Sequence, residues 1–105
     1  MPEFSTDNET ELICQEIVTA VTGLTVAADI ARACKAILDT WFNDVWIRDP
    51  DESTKFGYAP HRWHIGKEGG PPDWGVAATF AIIKGTGNLC ETYWGFDLIF
   101  YGPNA

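Results

Sequence analysis

Basic residues are scarce in this chain: seven Lys and Arg stand against fifteen Asp and Glu, for a formal net charge of −8 over 105 residues. A field of that sign repels nucleic acid and anionic lipid and favours encounter with a basic partner. Long apolar runs are missing too. The longest, Val76 to Ile83, is interrupted by Thr79 and falls far short of the ~20 residues that a membrane-spanning helix needs. Met1-Pro2-Glu3-Phe4 carries acid where a secretory signal carries Lys or Arg, and no apolar stretch follows it. The expectation is a cytoplasmic protein that binds neither membrane nor, directly, nucleic acid.

The residues that do chemistry are equally sparse. Cys14, Cys34 and Cys90 are odd in number and widely spaced, which is neither a disulfide framework nor a Cys-x-x-Cys metal or redox pair. Serine is confined to Ser5 and Ser53, with no Gly-x-Ser-x-Gly elbow to raise a nucleophile. Gly85-Thr86-Gly87 lacks the third glycine of a dinucleotide loop, and no Gly-x-x-x-x-Gly-Lys phosphate loop exists. Asp49-Pro50-Asp51-Glu52-Ser53 places oxygens as a calcium loop begins, but its sixth position is Thr54 and its twelfth is Pro60, where that loop needs Gly and Glu. It reads as an exposed acidic turn. The only histidines, His61 and His64, are three apart, so on a strand they point to opposite faces and do not share a metal ion; Trp63 and Ile65 are expected to pack inward with His61, leaving Arg62 and His64 solvated. No catalytic residue, metal ligand or cofactor is assigned.

What is abundant is core-forming material. With 46% hydrophobic and 13% aromatic residues, five of them Trp, and only 21% charged, the chain is suited to one folded domain spanning residues 1–105. Thr6 and Glu9 have capping-box spacing, and Ile13, Ile17, Ala20, Val21 and Leu24 follow at helical intervals, so the pattern predicts a first helix over 7–22 closed by Gly23. A second helix starts near Thr25 and carries the stripe Val26, Ile30, Cys34, Ile37, Leu38, Trp41 and Val45. The stripe favours a helix running through 41–47, although Trp41 to Ile47 also reads as a short strand. Beyond the acidic turn the period changes to two, giving strands over 56–65, 75–84 and 89–101, the last pair joined at Gly85-Thr86-Gly87-Asn88. The expected fold is α+β: two N-terminal helices packed on one face of a small antiparallel sheet of three or four strands.

The charge is unevenly placed. Residues 1–52 hold eleven acids and three bases, and residues 53–105 hold four of each, so the whole net charge belongs to the first half. The sequence therefore favours a non-catalytic acidic module, such as a small inhibitor, immunity or anti-defence factor, acting on a protein or nucleoprotein with a basic surface. Homodimerisation is compatible with it. Its contacts are expected at Glu11, Glu16, Asp44, Asp51 and Glu52, with Trp46, Trp63, His64, Asp73 and Trp74 at the aromatic edge. The alternative is a small-ligand domain or modest enzyme at the 66–75 loop, whose two prolines and four glycines cannot form a ladder. There His61 or His64 would act with Asp73 and Trp74, and an acidic surface serving solubility alone is the plainest competing account.

Overall fold

A computed structural model describes residues 8–56, 62–68, 72–87, 90–92 and 98–100, with side chains described for 11–55, 62–68 and 77–87. Helix α1 spans Asn8–Val21. It ends at Gly23, whose φ of +88° is left-handed, and the Thr22 and Leu24 amides donate back to the Val18 and Val21 carbonyls. A side chain at Gly23 would strain that turn. Helix α2 spans Ala27–Trp41, and its N-cap is Val26, one residue later than expected.

The long-helix reading of 41–47 is overturned. Phe42 is extended, at φ −131° and ψ 153°, and Asp44 sits at φ +62°, a conformation in which an α-helix cannot continue. Short polar Asn43 and Asp44 make the turn, and the bulky Val45–Arg48 run then forms strand β1. Helix α3, Pro50–Phe56, replaces the expected acidic turn. Its start is a reciprocal cap: the Glu52 amide donates to Asp49 Oδ1 at 2.8 Å, and the Asp49 amide donates to Glu52 Oε1 at 3.4 Å. Pro50 occupies the first turn, where its missing N–H costs nothing.

Strand β2 is Trp63–Lys67, so the expected strand over 56–65 begins later and Phe56 belongs to α3. It pairs antiparallel with β1 in the register Val45↔Lys67, Trp46↔Gly66, Ile47↔Ile65 and Arg48↔His64. Residues 72–86, expected in large part as a strand, form helix α4 (Pro72–Thr86). Ala77, Ala78, Ala81 and Ile82 are buried at helical spacing. Gly87, at φ +71°, caps α4 with its amide on the Ile83 carbonyl, so the supposed hairpin signal is a helix terminus. Short strands β3 (Cys90–Thr92) and β4 (Leu98–Phe100) pair with each other, β4 pairs with β2, and the order is β1-β2-β4-β3. Residues 90–92 and 98–100, expected within a single strand over 89–101, are instead antiparallel partners of each other, and residues 93–97 lie outside the described residues.

The chain thus mixes helices with a small antiparallel sheet. Among the described elements α2 touches β1 and β2, and α1 touches α2 and α4. Ile13, Ile17 and Val21 of α1, Ile30, Cys34 and Leu38 of α2, and Ile65 of β2 are fully or almost fully buried in one cluster. Each aliphatic side chain there contributes about 1.5–3 kcal/mol through burial. Helices α1 and α4 approach closely at Gly85, where an added Cβ would lie 2.6 Å from Val21 Cγ2 and 3.2 Å from the Val18 carbonyl oxygen.

Candidate functional site

The C-terminal half of α2 is a ridge between two grooves. On one side a groove of 410 Å³ runs between α1 and α2, lined by Leu12, Glu16, Ala20 and Ile37 among others. On the other a groove of 340 Å³ lies between α2, β1 and the start of α3, with Ile47 and Trp63 as its apolar lining. The carboxylates of Glu16, Asp39, Asp49 and Glu52 line these two grooves, and Arg32 and Lys35 are the bases among them. Lys35 is engaged by Asp39 at 2.7 Å, and Arg32 lies over the Trp63 ring at 5.0 Å from its centroid. The last turn of α2 contains no base, so the negative end of the helix dipole adds to the local field. Glu16 Oε1 accepts the Trp41 indole N–H at 3.2 Å, which ties α1 to that end of α2.

The neighbouring sheet face carries a compact aromatic and cationic cluster. Arg48 and His64 are cross-strand partners, the His64 and Trp46 rings meet edge-on at 4.9 Å and 87°, and the Arg48 guanidinium lies 4.1 Å from the Trp46 ring centroid. His64 is fully buried. Burial, reinforced by the Arg48 charge, pulls its imidazole down to about 4 from 6.5, so the ring is neutral at neutral pH. Ser53, on α3, is also fully buried, and its hydroxyl makes no hydrogen bond. No serine–histidine pair is assembled between them. Cys14 donates to the Ala77 carbonyl at 3.7 Å, and burial, with Glu11 nearby, pushes its thiol up to about 11, the opposite of an activated nucleophile. Among the described residues no group of three or more His, Cys, Asp or Glu is placed to hold a metal ion, and no helix is long and apolar enough to cross a membrane.

Glu11, Glu16, Asp44, Asp51 and Glu52 are exposed, and Trp46 is half-buried. Trp63, at 9% exposure, reaches the surface only as lining of the groove beside α2, and His64, at 0%, is fully buried. Trp63 and Ile65 point inward as expected, but His64 is not solvated, because β2 is buried on both faces from Trp63 to Gly66. Glu16 and Glu52 come to the two sides of the α2 ridge; Asp44 and Asp51 line neither groove. The 66–75 loop is shorter than expected: Gly66 and Lys67 belong to β2 and Pro72 onward to α4. His61 and the side chains of Asp73 and Trp74 lie outside the described residues.

Among the described residues the two most exposed large apolar side chains, Leu12 at 51% and Phe80 at 60%, are not among those the sequence singles out. Leu12 lies off the apolar stripe of the first helix, which is itself the signal, while Phe80 is hidden by the strand-like character of its segment. The chain matches no family model, and no curated protein or solved structure is similar to it.

Proposed function

We propose that this chain is a non-catalytic binding module that presents the C-terminal half of α2 and its two flanking grooves to a basic surface on a protein or nucleoprotein. The observation that carries the reading is the pairing of apolar groove linings with carboxylates: Leu12 and Ile37 with Glu16 on one side, Ile47 and Trp63 with Asp39, Asp49 and Glu52 on the other. An interface of this kind takes affinity from desolvated apolar contact and orientation from its charged surround. In the same reading the scaffold is a helical layer over one face of an antiparallel sheet of three or four strands. The apolar contacts of this reading are Leu12 and Ile37 on one side of α2 and Ile47 and Trp63 on the other.

The test is differential capture from a native lysate. The wild-type chain and a variant carrying Leu12→Ser, Glu16→Gln and Asp39→Asn, all at exposed positions, are immobilised in parallel, and captured proteins are identified by mass spectrometry. A basic protein retained by the wild type and lost by the variant supports the reading. Equal capture by both, or capture by neither, sinks it.

A further inference from the structure

The flank of α1 that faces away from α2 carries a second, larger groove, and its charges are arranged differently. It measures 490 Å³ and lies between α1 and α4, with Cys14, Val18, Ala77 and Ala81 among its lining and Phe80 beside them. Phe80 is the most exposed large apolar side chain among the described residues, at 60%.

The two helices run in the same direction along this groove. Cys14 touches Ala77, and Val18 and Val21 touch the Gly85 position, so numbering rises together on both. Glu11 therefore stands at one end of the groove and Lys84 at the other, about 15 Å apart at 1.5 Å of rise per residue, with Phe80 between them. Both charged residues are exposed and line the groove. Among the described residues its lining holds one acid and one base, a balance that gives a basic partner no electrostatic preference.

We infer that this groove is the contact surface of a homodimer, in which a second copy is turned by a two-fold axis passing near Phe80. That rotation reverses the helix direction, sets Glu11 of each copy against Lys84 of the other, and brings the two Phe80 rings together at the centre. An isologous interface must be complementary to itself, and a neutral patch with opposite charges at its two ends satisfies that condition where a uniformly acidic surface does not. The face is modest. Two helices about 20 Å long, each about 10 Å wide and lying side by side, offer roughly 400 Å² per copy, about 800 Å² in total, which is below the size of stable specific interfaces and in the range of weak, transient ones. The dimer is accordingly weak and concentration-dependent. This inference does not rest on the basic-partner reading, which uses the other side of α1.

Sedimentation velocity of the full chain between roughly 10 µM and 1 mM, a range suited to small interfaces, tests it. The wild type is expected to shift from monomer toward dimer across the series, and Phe80→Asp to hold it monomeric. Glu11→Lys and Lys84→Glu are each expected to weaken the dimer by about tenfold, since each places two like-charge pairs in the interface. Combining them restores opposite charges and should restore association. All three residues are exposed, so unchanged far-ultraviolet circular dichroism and Tm are expected for every variant. A chain that stays monomeric throughout, self-association indifferent to Phe80→Asp, or a double variant no better than the single ones would each overturn the proposal; the charge swap decides between dimer and monomer even if Phe80→Asp fails to fold.

Discussion

His64 shows at the scale of one residue what alternation does and does not reveal. The period-two pattern correctly sends Trp63 and Ile65 to one face, which assigns His64 to the other, but it cannot say whether that other face is covered. Here it is covered, and a ring expected in solvent is fully buried beside Trp46 and Arg48. A dependence of stability on pH follows. Above pH 6.5 the ring is neutral in both folded and unfolded chains and contributes no slope. Below 6.5 the unfolded chain takes up a proton that the folded chain refuses until about pH 4, so stability falls as the pH drops through that window. The full loss is about 3 kcal/mol, of which about 2 accrues by pH 5, before most carboxylates titrate. Urea unfolding at pH 7.5, 6 and 5 should show this slope, and a His64→Gln variant should lack most of it even if it is less stable throughout. Equal slopes in the two would remove His64 as the cause. Cys14 offers a second residue-scale check. With its thiol near 11 it carries about a hundredfold less thiolate at pH 8 than an ordinary cysteine, so iodoacetamide should label it slowly in the native chain and readily in urea.

Elements are legible where their local signals are undivided. Ile13, Ile17 and Val21 recur every four residues and end at a glycine, and α1 forms there as the pattern predicts. Helix α4 is obscured because its β-branched and aromatic residues suit a strand, while the better signals lie elsewhere: Pro72 in its first turn, three alanines, and a length of 15 residues that few strands reach. Helix α3 is obscured because Asp49-Pro50-Asp51-Glu52 reads as the end of the preceding helix and as the start of a metal loop, though it is also a capping box with proline inside. Asp49→Ala should therefore cost about 1 kcal/mol in chemical denaturation, whereas Asp51→Ala, exposed and outside the reciprocal pair, should cost much less. At Gly85 two effects compete. Alanine would gain about 1 kcal/mol in helix propensity, but its methyl would meet the buried Val21 side chain at 2.6 Å. Val21 is stiff at χ1 and cannot swing aside, so overpacking of about 1–3 kcal/mol wins and Gly85→Ala is expected to be destabilising. Adding Val21→Ala should make the Gly85→Ala change neutral or favourable. If Gly85→Ala alone stabilised the protein, the close approach of α1 and α4 would be wrong.

At the scale of the whole molecule, the uneven charge is the property that sequence reads most directly, since every net negative charge falls within residues 1–52. What the sequence could not give was the relation of those charges to apolar surface, which depends on α1 and α3 reaching opposite sides of α2. The same arrangement limits which acids are useful probes. Glu52 caps α3 and Asp44 holds a left-handed turn, so reversing either would disturb the fold together with the field. Glu16→Gln retains the oxygen that accepts the Trp41 indole, and Asp51→Asn leaves the cap intact, so that pair of changes removes charge with little else. With a partner identified by differential capture, surface plasmon resonance at several salt concentrations should show association slowing as the Debye length contracts from ~10 Å at 0.1 M to ~3 Å at 1 M. Dissociation should change much less, because exposed charges act mainly on encounter. The Glu16→Gln and Asp51→Asn variant should start with slower association and a shallower salt dependence. Truncating Leu12, by contrast, should raise the dissociation rate and leave the salt dependence of association alone, since it removes apolar contact but no charge. Association that ignored salt in the wild type would mean that the acidic half of the molecule does not guide binding, and the α2 ridge would lose its claim to be the recognition surface.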